Sequence, residues 1–354
     1  MGAIIAKEPT NTGRQLELDI ARGLAVFFMI AIHSMQVFAA ESVKDTTLGF
    51  IIDFVGGAPA APVFMFLLGI GVVYTKKADP AIFYRRGLLL ILGGYILNLL
   101  RGTLPHLIRW WNSGNQEFLQ KSFQEFVSID ILQFAGLAMI FFGLIKQFKP
   151  SILKVMAIGT ILAMLNFALQ DIKLSNPVAA AIGGLFWGTG KISYFPFLTW
   201  ILYPIVGYLF GLLLIRCANK LRFYASNLAS GIVVMVLSTY LFIYLMGIDI
   251  GIYEEYAYYH HNLLGNITFI AFTVSWISVL FFISKWIKGI LYSTIVRWSK
   301  NVTEIYFVQW ILIGWGTLIP SFNTLNTASY VGIFLLLVIA SDLLAYAYLR
   351  VSKT

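Results

Sequence analysis

Charge is what this chain has least of. Asp, Glu, Lys and Arg make up 12% of its 354 residues, where a soluble domain carries about 25%. So few charges cannot cover a water-facing surface, which excludes a soluble globular enzyme. A hydrophobic fraction of 59% and a mean hydropathy of +0.81 exclude a disordered chain. Alternating ten-residue segments are missing too; the apolar residues come in long unbroken runs, which excludes an outer-membrane barrel. Cys217 is the only cysteine, so no intrachain disulfide can form. Acidic residues are outnumbered 16 to 25, giving a formal net charge of +9. In a soluble protein that excess would raise nucleic acid as a partner. In a membrane protein it follows from the collection of Lys and Arg in cytoplasmic loops, and no nucleic-acid partner is expected.

What remains is an all-α polytopic transmembrane helical bundle. A span needs about 20 mostly apolar residues. Ten segments qualify, at about 20–40, 58–75, 87–104, 128–145, 151–170, 194–215, 226–247, 264–284, 302–320 and 329–349, and the whole of residues 1–354 reads as one integral-membrane domain. The first segment has too long an apolar run for a cleaved signal peptide and reads as a retained helix. Most basic residues fall on one side of these spans: Lys7, Arg14 and Arg22; Lys76, Lys77, Arg85 and Arg86; Lys146, Lys149 and Lys154; Arg216, Lys220 and Arg222; Lys285, Lys288, Arg297 and Lys300; Arg350 and Lys353. That bias predicts cytoplasmic termini and a multi-pass protein of the plasma (inner) membrane. Pro196 and Pro204 predict a kinked or broken sixth span. The Gly-rich stretch 177–193 reads as a re-entrant segment or an outer loop. Tyr253, Tyr256, Tyr258 and Tyr259 read as an interfacial aromatic belt.

Ionisable residues inside spans are expensive, so each is a functional candidate. Arg22 and His33 lie eleven residues apart. At about 100° per residue both project from one helix face, about 16 Å apart along the axis. One face thus carries a cation at the inner mouth and a titratable base past the midplane. The plain alternative is a snorkelling Arg22 and a His33 that bonds a neighbouring helix. Asp130 with Gln133, and Asp53 ahead of the Gly56-Gly57-Ala58-Pro59 turn, are acids that could orient the imidazole; a helix N-cap is the competing role for both. Asp342, in the last span, could pair with Arg22 or Lys300 or serve a proton path. Gln309 could be interhelical glue. His260 and His261 read as surface residues of an outer loop, and no third ligand is spaced to make a metal site.

The stretch Leu18-Asp19-Ile20-Ala21-Arg22-Gly23-Leu24-Ala25 ending in His33 resembles the Arg, ten residues, His motif of the membrane acyltransferases of family 3. It is also similar to the heparan-α-glucosaminide N-acetyltransferase catalytic domain family. Matches continue in order with Ala61 to Gly69, with Arg85-Arg86-Gly87 through Asn98, with Ile131-Leu132-Gln133-Phe134-Ala135-Gly136-Leu137, and with Phe195-Pro196-Phe197-Leu198-Thr199-Trp200. Past residue 220 the resemblance is thin. Many relatives carry His-Gln after the Ile-Tyr of a late helix, where this chain has Gln309-Trp310 three residues after Tyr306.

The resemblance implies an acyltransferase that moves an acyl, expected to be acetyl, group from cytoplasmic acyl-CoA to a hydroxyl or amine of an extracytoplasmic acceptor. By analogy that acceptor is a sugar or cell-envelope glycan; heparan sulfate is not implied. His33 would be base or nucleophile, with Asp130 or Asp53 behind it. Arg22, Arg85, Arg86, Lys76 and Lys77 would receive the donor's phosphates, and Gln133, Asn98 and Gln309 would contact substrate. The expected partners are the lipid bilayer, the donor and the acceptor, with a homodimer left open and no metal. The competing reading is a proton-coupled secondary transporter using His33 and Asp342.

Overall fold

A computed structural model describes residues 4–76, 79–169, 172, 174–188, 192–246, 258–319 and 324–352. It is helical, and among the described residues nine helical runs are long and apolar enough to cross a membrane. They coincide with nine of the ten segments read from hydropathy. The tenth is the helix Val302–Gly316, only 15 residues long. That is about 22 Å at 1.5 Å per residue, short of a hydrocarbon core of about 30 Å. Several runs keep their apolar side chains outward: only 22% of the apolar stretch is buried in Ile152–Leu169 and in Lys220–Leu241, against 72% in Phe197–Leu214. Outward apolar faces on this scale are at home only in lipid, so the chain is an integral multi-pass membrane protein.

The chain groups into two compact units. One comprises Met1–Gln15, Phe64–Tyr95 and Val127–Phe282; the other comprises Leu16–Val63, Ile96–Phe126 and Ile283–Thr354.

In the second of these, the helix Leu16–Phe38 is the hub. It opens with Glu17 and Asp19, whose charges suit a helix N-terminus. Both are buried, and Asp19 accepts a hydrogen bond from the Ser299 hydroxyl at 3.0 Å. One turn on, Gly23 sits against the Ile295 carbonyl, where any side chain would collide. That contact lets the Gly289–Lys300 helix lie close along the first. Farther along, Gly56 of the Thr47–Gly56 helix packs on Ile32. Tyr330 of the last helix, Thr327–Val351, donates to the Ala31 carbonyl at 3.0 Å. Ala31, Ile32, Met35, Ile52 and Tyr330 thereby form one buried cluster beside His33 in the sequence.

The long run Pro80–Ser113 is not a regular α-helix throughout. Residues Leu99–Thr103 form a π-helical turn, and the run ends at Gly114 in the left-handed region, φ 68°. A π-turn displaces carbonyls from their usual partners. That of Leu100 is taken by the Trp315 indole N–H at 3.0 Å.

In the other unit the helix Ile131–Phe148 starts at Asp130. The expected break in the sixth span is real and falls at Ile201, between the short helix Phe197–Trp200 and the helix Leu202–Leu214. Pro204 causes it, since it has no N–H to give the Trp200 carbonyl four residues back. The stretch 177–193, expected as a re-entrant segment or outer loop, contains a short helix, Pro177–Gly184, capped by the Asn176 side chain. Of the expected aromatic belt, Tyr253 and Tyr256 lie outside the described residues. Tyr258 and Tyr259 pack edge-on to one another, 5.0 Å between centroids.

Candidate functional site

His33 is half-buried in the first helix and meets the Val302–Gly316 helix. There the Gln309 amide, itself fully buried, donates from Nε2 to His33 Nδ1 at 3.3 Å. The next residue, Trp310, stacks on the imidazole with ring centroids 4.1 Å apart and planes inclined by 29°. The same indole also receives the Arg101 guanidinium, whose central carbon lies 4.3 Å from the ring centroid. Trp310 therefore contacts a titratable imidazole and a permanent cation.

The placement of Arg101 follows from local structure. It is the middle residue of the π-turn and is buried. Its backbone carbonyl lies against Gly314, four residues after Trp310, at a spacing no side chain would allow. The Trp315–Leu100 hydrogen bond and one from the Arg109 guanidinium to the Thr317 carbonyl fasten the two segments. Asn98 donates to the Phe126 carbonyl at 3.3 Å and Thr103 to the Ser122 carbonyl at 3.2 Å, which ties the π-turn to the helix Gln116–Val127. A buried cation is stabilised by an aromatic face more strongly than an exposed one, because less water competes for it.

Two polar atoms here are buried without a hydrogen-bond partner among the described residues: Gln309 Oε1, an acceptor, and Trp310 Nε1, a donor. Both atoms belong to residues that touch the His33 ring. No group of three or more His, Cys, Asp or Glu side chains is arranged to hold a metal among the described residues.

The residues singled out from sequence divide between the two units. Arg22 and His33 lie on one unbroken helix, and Arg22 is half-buried. Asn98 belongs to this unit, but its amide N–H serves the Phe126 carbonyl. Asp53 is exposed in the last turn of its helix, whose N-cap is Thr46, so the capping role does not apply to it. Asp130 and Gln133 lie in the other unit and form a capping box. The Asp130 carboxylate accepts from the Ile131 N–H at 2.7 Å, and Gln133 Oε1 accepts from the Asp130 N–H at 3.2 Å. Gln133 also donates to the Ser128 carbonyl at 3.2 Å. Arg85, Arg86 and Lys76 are exposed in that unit, and Lys77 lies outside the described residues.

Two expectations are corrected. Asp342 pairs with Arg297, not with Arg22 or Lys300. Arg297 Nε lies 3.0 Å from Oδ1, and Nη2 contacts Oδ2. The planar guanidinium matches both carboxylate oxygens at once, which a lysine ammonium cannot do. His261 is not a surface residue. It is buried beneath Trp200, 4.9 Å between ring centroids, with Tyr203 Oη 2.9 Å from Nε2 and the Tyr258 carbonyl 2.8 Å from Nδ1. Burial lowers its pKa to about 4, and also lowers that of its neighbour His260 to about 4. Phe269 covers it from nearby, 5.3 Å between ring centroids, but Trp200 and Tyr203 come from about sixty positions away, which local hydropathy could not show.

Sequence reading missed Arg101 and Trp310. Arg101 had a signal, an arginine inside a long apolar run, which is costly in a membrane unless paired. Trp310 had none; its role rests on which rings it touches.

Fold and site together define a polytopic helical membrane protein with an intramembrane histidine held by an amide and an indole. Residues 14–248 match the family described as heparan-alpha-glucosaminide N-acetyltransferase, catalytic. The chain belongs to that family and is thus an acetyltransferase-type membrane enzyme. The matched region includes Arg22, His33 and Arg101 and ends before Gln309. No curated protein matches the chain.

Proposed function

We propose that this protein transfers an acetyl group from acetyl-CoA, or another acyl-CoA, to a hydroxyl or amine of an extracytoplasmic acceptor such as a glycan sugar. The observation that carries this is the contact of Gln309 with His33 Nδ1 at 3.3 Å, under the stacked Trp310. It has the form of a base with its orienting partner.

Gln309 sets which nitrogen is basic. With the amide turned over, Oε1 accepts from Nδ1–H and neutral His33 presents Nε2 as the base. The Gln309 Nε2 then stands where Oε1 is now unpaired and donates to the acceptor. His33 Nε2 takes the acceptor's O–H or N–H proton as that atom attacks the thioester carbonyl. The C–S bond breaks, and the imidazolium returns its proton to the leaving thiolate. The products are an ester or amide and free CoA. Direct attack by His33 on the thioester, giving an acyl-imidazole, is the variant in which the acceptor enters second.

The bias of basic residues supports delivery of the donor from the cytoplasm. Arg22, Arg85, Arg86, Lys76 and Lys77 are the cations suited to its phosphates. The transporter alternative loses support, since Asp342, its intended proton carrier, is held bidentate by Arg297.

The test is release of free CoA from acetyl-CoA by the detergent-purified chain, with sugar alcohols and sugar amines as acceptors, set against His33→Ala. Release that depends on His33 supports the transferase. Neither release nor acetyl-CoA binding sinks it.

A further inference from the structure

On the unit that holds His33, but away from it in the chain, the Gly289–Lys300 helix and the end of the last helix flank an open cavity of about 410 Å³. Its lining follows helical spacing from both sides. Ser293, Val296, Arg297 and Lys300 recur at three- and four-residue steps on one helix, and Tyr346, Leu349 and Arg350 on the other. Asp342 is one turn before Tyr346 and clamps Arg297 at the wall. Its carboxylate balances Arg297. Lys300 and Arg350 then leave the cavity with a net positive charge, and both are exposed. Arg350 also lies 5.2 Å from the Tyr346 ring centroid, so its guanidinium is held near the lining.

The depth of this cavity is marked by its neighbours. At the start of the Gly289–Lys300 helix, Trp286 is 68%, Ile290 85% and Leu291 59% exposed. Lys285 reaches over the Trp286 ring at 4.7 Å. Large apolar side chains outward, a tryptophan and flanking lysines are the signature of a helix lying at the membrane–water interface. A basic cavity between helices at that level is suited to a phosphate ester.

We infer that this cavity is a binding site for a phosphate ester at the membrane interface, with Lys300 and Arg350 holding the phosphate and Arg297, fixed by Asp342, forming its wall. The interfacial surroundings favour the headgroup of an anionic phospholipid. The phosphates of acyl-CoA share the chemistry and are the other source. The site does not depend on the transfer reaction proposed for His33.

The test uses the full-length protein with two probes, phosphatidylglycerol against phosphatidylcholine by native mass spectrometry, and CoA against 3′-dephospho-CoA by titration calorimetry. Lys300→Gln/Arg350→Gln is compared with Lys285→Gln/Lys288→Gln, which removes equal charge nearby. Gel filtration and melting temperature confirm that both remain folded. The expected result is a preference of the native chain for phosphatidylglycerol that falls roughly tenfold in Lys300→Gln/Arg350→Gln and persists in the control. A loss confined to CoA, together with loss of discrimination against 3′-dephospho-CoA, assigns the site to the donor's phosphate. Unchanged binding of both probes, or equal losses in the two double variants, overturns the inference. CoA release dependent on His33 is read separately, so a failure of the transferase reading leaves this result intact.

Discussion

Gln309 meets His33 across 276 positions of sequence, its amide nitrogen 3.3 Å from Nδ1 of the ring. An amide can either donate to that nitrogen or, turned over, accept from it, and the two arrangements place the proton of a neutral imidazole on opposite nitrogens. In the transfer proposed above, the residue opposite His33 would therefore set which of its nitrogens is the base.

Substitution at these two positions separates chemistry from orientation. His33→Ala is expected to lower turnover by roughly 10²–10⁴, the usual contribution of a general base. Gln309→Leu is expected to lower it by about 100-fold and to raise KM for the acceptor but not for the donor, since it misaligns the base and removes the amide that donates to the acceptor. Gln309→Glu can only accept from Nδ1–H and should retain much more activity than the Leu variant. Equal activity of the Glu and Leu variants in steady-state kinetics would dismiss tautomer control.

Trp310 offers a second check, because the same ring contacts both His33 and Arg101. Trp310→Phe keeps an aromatic face and should keep most activity, whereas Trp310→Ala loses both stacking contacts. The aromatic contacts are worth about 0.5–2 kcal/mol each, so a melting-temperature loss should accompany the loss of turnover. If Trp310→Ala melts and turns over like the native chain, the indole has no part in the site.

Gly314 has no room for a side chain against the Arg101 carbonyl. Gly314→Ala must push the π-turn and the Val302–Gly316 helix apart. Overpacking of this kind costs about 1–3 kcal/mol, and here it also moves Arg101 from Trp310. Reduced thermal stability and reduced turnover are expected together. Gly114→Ala, in open space at the run's end but with φ 68°, should affect stability alone.

His261 predicts a pH dependence in the other unit. Burial depresses its pKa from 6.5 to about 4, so the folded state holds it neutral while an unfolded chain would protonate it below about 6.5. Its contribution to stability is complete above that pH and is lost as the pH falls from about 6.5 towards 4, amounting to about 3 kcal/mol at the low end. Melting curves between pH 7 and 4 should therefore flatten in His261→Gln relative to the native chain. Parallel curves would count against a neutral buried His261.

The sequence alone determined the membrane class, nine of the spans and the Arg22–His33 helix, because long apolar runs and helical periodicity are local properties. It also supplied the break near Pro204, since a missing N–H is a property of one residue. It named His33 and Gln309 separately but gave no reason to join them. Only the tertiary structure decided that Gln309 meets His33, that Arg101 stacks on Trp310, that Asp342 is claimed by Arg297 and that His261 is buried. Each of these depends on which helix faces which, and that is settled by packing: the close approaches at Gly23 and Gly314 and the carbonyl released at the π-turn bring distant residues together. Hydropathy reports how much a segment prefers lipid to water. It carries no information about which neighbouring helix a side chain will meet.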